Sequence, residues 1–252
     1  MRVALKFAYD GRLFHGYARQ PNVETVEARI IHSLKQTGYI TPHPKESIFR
    51  SASRTDKGVS ALGNVIAFNT EKNVDYLIDE INDSLHHIVF YGKKCVEDSF
   101  YPRHASQRIY HYYVSKDDID IEILQLIVPL FIGSFNFSNF ARVESYKNPV
   151  RSIDKINIID FESFFILEFC AQTYLWHQIR RIVSAILKVK KQKNTKQEIM
   201  YALTHPEKQY DFGVASPEQL ILNDIIYPFS FQIDENGLRK KEELKEKIIS
   251  NF

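Results

Sequence analysis

Between Arg2 and Tyr9 apolar positions alternate, with Val3, Leu5, Phe7 and Tyr9 on one side, which predicts a half-buried strand. Asp10-Gly11 ends it, and a loop of mixed character runs to Pro21. Val26, Ile30, Ile31 and Leu34 then recur at helical spacing and predict a helix over 23–38, closed by Gly38. A proline-bearing loop at 40–46, a short strand at 48–49, a polar segment and a strand reaching 69 follow, then a helix over 75–85 and a strand over 88–96. The order restarts after Phe100: a tyrosine-rich strand over 107–115, an apolar helix over 121–132, strands over 152–160 and 164–174, helices over 179–189 and 196–203, and a last strand over 225–233. The charged tail over 238–247 predicts a solvated helix with frayed ends. Strand-helix-strand order thus occurs twice. It predicts an α+β protein of two similar units, 1–103 and 104–252, with mostly antiparallel sheets and helices on one face.

Composition adds few constraints. The chain has 252 residues, 44% hydrophobic and 25% charged, which describes a globular protein with enough apolar mass for real cores. Met1-Arg2-Val3 leads directly into a strand, and no run approaches the roughly 20 apolar residues that span a bilayer, so a cytoplasmic protein without membrane attachment is expected. Cys95 and Cys170 are far apart in apolar surroundings and read as buried free thiols. The net charge of +2 barely favours a nucleic-acid partner. Its distribution says more: Lys188, Lys190, Lys191, Lys193 and Lys196 form a run, and 14 tyrosines and 18 phenylalanines accompany a single tryptophan. Basic groups interleaved with aromatics suit RNA, which offers phosphates to neutralise and bases to stack. Most such residues in any protein nevertheless fill the core or face water.

Several kinds of chemistry lack their residues. No Gly-Lys-Ser/Thr phosphate loop occurs, no His-x-x-His or Cys-x-x-Cys spacing suggests zinc, and no Gly-x-Ser-x-Gly elbow is present, so a zinc site is not expected. The stretch 51–68 is the best candidate. Its end, Asn64-Val-Ile-Ala-Phe68, reads as a buried strand, and Ser53-Arg54-Thr55-Asp56-Lys57-Gly58 reads as a turn in which Gly58 takes positive φ. Asp56 would then be displayed on a loop entering a rigid strand, with Arg54 two residues earlier. An Asp-x-Gly alone is far more often an ordinary surface turn, so other segments must decide. Two do: Arg108-Ile-Tyr110-His-Tyr112 on a strand, and Tyr174-Leu175-Trp176-His177-Gln178-Ile179-Arg180-Arg181 running from a strand into a helix.

Together these stretches resemble the tRNA pseudouridine synthases of the TruA family, in the form of its archaeal and eukaryotic branch. Ser53 to Ser60 matches the family signature Gly-Arg-Thr-Asp-Ala-Gly-Val-His, Arg108 to Tyr112 its Arg-x-Tyr-x-Tyr strand, and Tyr174 to Ser184 its Phe-x-x-x-x-Val-Arg-x-Ile-Val-Gly segment. Tyr9-Asp10-Gly11, Gly16-Tyr17, Arg19-Gln20, Phe100-x-x-Arg103 and Phe135-x-Phe-Ser138 fall in family order, so the resemblance covers essentially the whole chain. It implies the pseudouridine synthase fold with an active-site cleft between the units. It also implies isomerisation of uridine in the anticodon stem-loop of tRNA (positions 38–40) without metal or cofactor, by a homodimer. Asp56 matches the catalytic aspartate, which would attack the ribose, attack the uracil or remove a sugar proton. Tyr110 matches the tyrosine that stacks on the target base. Arg180 matches the arginine paired with the aspartate, although Arg181 is adjacent. Arg54 matches the arginine that assists nucleotide flipping, and Leu175, Arg19 and Arg103 complete the implied substrate contacts. Ser53, Tyr17 and Ser184 depart from the pattern, and the family's Ala-Pro-x-x-Gly-Leu segment survives only weakly as Ala215-Ser-Pro-Glu-Gln-Leu220. The rivals are a non-catalytic tRNA-binding protein of the same fold, a synthase for other tRNA positions, and a metal-dependent RNA hydrolase, the last disfavoured by the missing ligand clusters.

Overall fold

The computed structural model describes residues 1–250 and 252. In chain order its elements are β1 (Arg2–Tyr9), α1 (Val26–Gln36), β2 (Arg50–Ser51), β3 (Ser60–Asn69), α2 (Leu77–Asn82), β4 (Ile88–Val96), β5 (Gln107–Ser115), α3 (Ile121–Ile127), β6 (Gly133–Asn136), β7 (Val150–Ile153), β8 (Lys155–Asp160), β9 (Phe164–Ala171), α4 (Gln178–Lys190), α5 (Lys196–Thr204), β10 (Leu220–Ile226), β11 (Gln232–Ile233) and α6 (Glu235–Ile249). They form two units, Met1–Ser106 with Ile221–Asn251, and Gln107–Leu220 with Phe252. The break expected at 103/104 thus falls a few residues later, and the C-terminal segment packs with the first unit rather than the second.

In the first unit β1 lies between β3 and β4, antiparallel to both, with Leu5 opposite Ile66 and Lys93. β2 pairs with β3 and β11 with β4, also antiparallel, while β10 runs parallel to β3. β1 is buried at every position except Lys6, so it is not the half-buried strand its alternation predicts. One cause is α6, expected as a solvated tail: Leu244 and Ile248 are buried, and the helix packs on β1 and β4. In the second unit β9 lies between β5 and β8, antiparallel to both, and β6 and β7 form a separate two-stranded ladder.

Most remaining departures from the sequence reading have local causes. α1 starts at Val26 because the Thr25 hydroxyl caps it, accepting from the Ala28 amide at 3.4 Å. The helix expected over 121–132 ends at Ile127, where Pro129 turns the chain into a 3₁₀ segment. The strand expected over 152–160 is two strands: at Asp154 the chain exchanges β6 for β9 as its partner. The last strand is likewise split into β10 and β11, with Pro228 in the gap. Cys170 is buried as expected, but Cys95 is exposed. No helix of the described residues is long and apolar enough to cross a membrane.

Candidate active site

Asp56 lies in the connection from β2 to β3, and the residues around it form a rigid frame. The Val59 amide donates to the Asp56 carbonyl at 3.2 Å and Gly58 has φ +87°, which makes 56–59 the turn its sequence predicts. Before the turn, the Asn64 amide group donates to the Ser53 carbonyl at 3.1 Å, and the Ala52 amide donates to the Val65 carbonyl at 2.8 Å. Thr55 is held twice: its hydroxyl shares a 2.8 Å hydrogen bond with the Tyr9 hydroxyl, and its carbonyl accepts from the Tyr17 amide at 3.2 Å. Gly11 passes so close that a Cβ there would sit 2.0 Å from the Val59 carbonyl oxygen, and its amide donates to the Ser60 hydroxyl at 3.0 Å. On this frame Asp56 is half-buried and Arg54 exposed.

The frame extends to Arg19. The buried Tyr17 hydroxyl donates to Ser51 Oγ at 2.7 Å, and the Ser51 hydroxyl donates to Glu27 Oε1 at 3.4 Å. Burial pushes the Tyr17 hydroxyl well above its ordinary pKa, so it stays a donor. The other Glu27 oxygen takes the Arg19 amide at 3.2 Å and its guanidinium at 3.5 Å. Arg103 is exposed on the segment that the Tyr227 hydroxyl anchors through the Pro102 carbonyl. Tyr9, Gly11, Gly16 and Tyr17 carry no chemistry recognisable by type. Only their contacts with the Asp56 turn give them a role.

Tyr110, Leu175 and Arg180 belong to the second unit. Tyr110 is half-buried in the middle of β5, opposite Phe169, and the Tyr174 ring meets it edge-on at 5.3 Å between centroids. The Tyr174 hydroxyl is enclosed, and burial raises its pKa well above the usual phenol value, so this ring orients its neighbour in neutral form. Leu175 is fixed to the start of α4 by Gln178, whose side-chain oxygen accepts from the Leu175 amide at 2.8 Å. His177 takes a left-handed conformation, φ +62°, where the loop turns into the helix.

Arg180 is half-buried on the first turn of α4. Its Nε donates to the Ala215 carbonyl at 2.8 Å, and the Ala215 amide donates to the Arg180 carbonyl at 3.1 Å. With Nε committed, the plane of the guanidinium is set and anion recognition falls to its two terminal nitrogens. Arg181 instead meets Asp211 at 3.1 Å, which distinguishes the two arginines. The Tyr112 hydroxyl ties the same segment down, donating to the Ser216 carbonyl at 3.1 Å and to Gln219 Oε1 at 3.0 Å. Ser184, where the sequence pattern has glycine, donates its hydroxyl to the Phe212 carbonyl at 2.6 Å. The weakly matching 215–220 segment is therefore a support of Arg180, a role without a local signal. The lysine run is partly neutralised within the unit: Lys190 Nζ lies 3.0 Å from the Asp117 carbonyl and 3.1 Å from Asp120, and Lys191 lies 3.9 Å from Asp118.

Known proteins resemble this sequence. A family model described as tRNA pseudouridine synthase matches residues 127–228, which include Leu175 and Arg180. A Thermococcus sibiricus protein named tRNA pseudouridine synthase A is 44% identical over 187 residues, covering 74% of this chain and 70% of that one. Its namesake from Pyrococcus furiosus is 38% identical over 255 residues, covering 100% of this chain and 92% of the other. Among solved structures the likeness is slight: a crystal structure of a Cbf5-Nop10-Gar1 complex aligns with 73% of this chain and 44% of that chain at 12% identity and a TM-score of 0.37. The full-length match at 38% identity decides the matter, and the chain belongs to the tRNA pseudouridine synthase A family of isomerases.

Proposed function

We propose that this protein isomerises uridine to pseudouridine in tRNA, in the anticodon stem-loop at positions 38–40, with Asp56 as the reactive carboxylate. The observation that supports this most is the Asp56 turn. A short carboxylate is held half-buried on a backbone fixed at Ser53, Thr55 and Val59, as a group that must meet a flipped nucleotide requires. The reaction is an isomerisation. The bond from ribose C1′ to uracil N1 breaks, a bond from C1′ to C5 forms, the C5 proton leaves and N1 gains one. Its balance needs no oxidant or reductant. Asp56 starts it at the ribose or at the base. Tyr110 stacks on the uracil, and the Arg180 guanidinium takes the third catalytic role. Arg54, exposed beside the turn, occupies the stack the nucleotide vacates, and Arg19, Arg103 and Leu175 hold the flanking RNA. The reading includes a cytoplasmic location and a homodimer, the latter tested by light scattering on the purified protein.

The experiment is incubation with an unmodified tRNA transcript in EDTA, followed by carbodiimide treatment and primer extension. Stops one nucleotide 3′ of positions 38–40 are expected. Stops elsewhere would move the target, and no stops, or stops abolished by EDTA, would overturn the reading. A non-catalytic tRNA-binding protein predicts binding without any stop.

A further inference from the structure

Trp176 is the single tryptophan of the chain and is 44% exposed, so a large aromatic face meets solvent. It stands between Tyr174, whose ring orients Tyr110, and the helix that carries Arg180. The Arg142 guanidinium lies over its ring, 4.3 Å from Cζ to the centroid, and the Arg142 amide donates to the Trp176 carbonyl at 2.8 Å. Arg142 is itself exposed. The same loop carries a second pair of this kind, Tyr146 at 79% exposure with Lys147 Nζ 5.7 Å from its ring centroid.

We infer that the Arg142–Trp176 pair is a stacking platform for an unpaired base of the substrate RNA, beside the nucleotide that Tyr110 receives. The inference rests on the proposed tRNA activity. An aromatic face attracts any base, and a guanidinium stacked on it adds both a cation–π contact and a phosphate partner. The backbone bridge to Arg142 fixes the main chain that carries the indole. An unpaired base fits better than a duplex, whose bases are already stacked.

The single tryptophan makes the test direct. Unmodified tRNA is titrated into the wild-type protein while indole emission and acrylamide quenching are followed, with labelled tRNA anisotropy reporting binding separately. Bound tRNA is expected to quench the emission and to lower acrylamide access at least about twofold. Trp176→Ala should weaken tRNA binding about tenfold and Trp176→Phe by no more than about twofold, with unchanged circular dichroism. The inference is overturned, with the tRNA activity intact, if tRNA binds while emission and acrylamide access stay constant. It is equally overturned if inorganic polyphosphate quenches as well as tRNA, or if emission follows protein concentration instead of RNA. Absence of tRNA binding would overturn the activity and the platform together.

Discussion

The Asp56 turn and the Tyr110–Arg180 wall are built in opposite ways. The turn is held chiefly at its main chain: a positive-φ glycine, amide-to-carbonyl bonds at Thr55 and Val59, and the Asn64 side chain on the Ser53 carbonyl fix it. The wall is a side-chain structure. Tyr110 takes its orientation from the Tyr174 ring, and Arg180 takes its plane from the Ala215 carbonyl. A carboxylate that attacks must be placed through its backbone, since Asp has only two side-chain torsions to adjust. A long guanidinium can be steered at its far end, and it needs a fixed acceptor there.

The difference predicts how each region breaks. Among changes outside the reactive carboxylate, the largest effect should come from Gly11→Ala. No side chain can move to accept a Cβ placed 2.0 Å from the Val59 carbonyl oxygen, so the turn must shift. We expect a loss of about 3 kcal/mol in stability by urea unfolding and a fall in turnover of about 10³-fold from the displaced carboxylate. Unchanged stability would mean the frame is softer than its contacts indicate. Next, Arg180→Lys should lower kcat/KM about 10²-fold, because an ammonium cannot bond Ala215 and present two further donors in one plane. A lysine variant near wild type would reduce Arg180 to a point charge. Tyr110→Phe keeps the ring and its edge contact with Tyr174, so tRNA affinity should hold while kcat falls about tenfold if the hydroxyl moves a proton; normal kcat would leave stacking as its whole role. The smallest effect is expected at Lys190→Ala. Its ammonium already meets Asp117 and Asp120, so tRNA affinity measured across a salt series should change less than about twofold.

The same contrast explains what the sequence disclosed. Asp56-Lys57-Gly58 is legible because turn chemistry is local: the glycine that takes φ +87° is two residues from the aspartate. The motif order also brings out Tyr9, Gly11, Gly16 and Tyr17, but their work as a frame appears only when loops distant in sequence meet, as Gly11 meets Ser60 over 49 residues. Arg180 stands out by motif, yet its support Ala215 is 35 residues away and contributes a backbone carbonyl, which any residue could supply. The Tyr112 bond to Ser216 spans 104 residues and is invisible for the same reason. Periodicity places most strands and helices; a single residue overrides it at Thr25 and Pro129, and a change of strand partner does so at Asp154. The tail misled because its charges are dense, while the two residues that seat α6, Leu244 and Ile248, are few.

The most direct test of the central claim compares wild-type protein and Asp56→Ala on one unmodified tRNA, measuring pseudouridine by carbodiimide primer extension and tRNA affinity by filter binding. The carboxylate account predicts that Asp56→Ala loses turnover by about 10⁴-fold or more while binding tRNA within about threefold of wild type, because the backbone bonds at Thr55 and Val59 remain in the variant. An Asp56→Ala protein that still converts uridine at a comparable rate would contradict it.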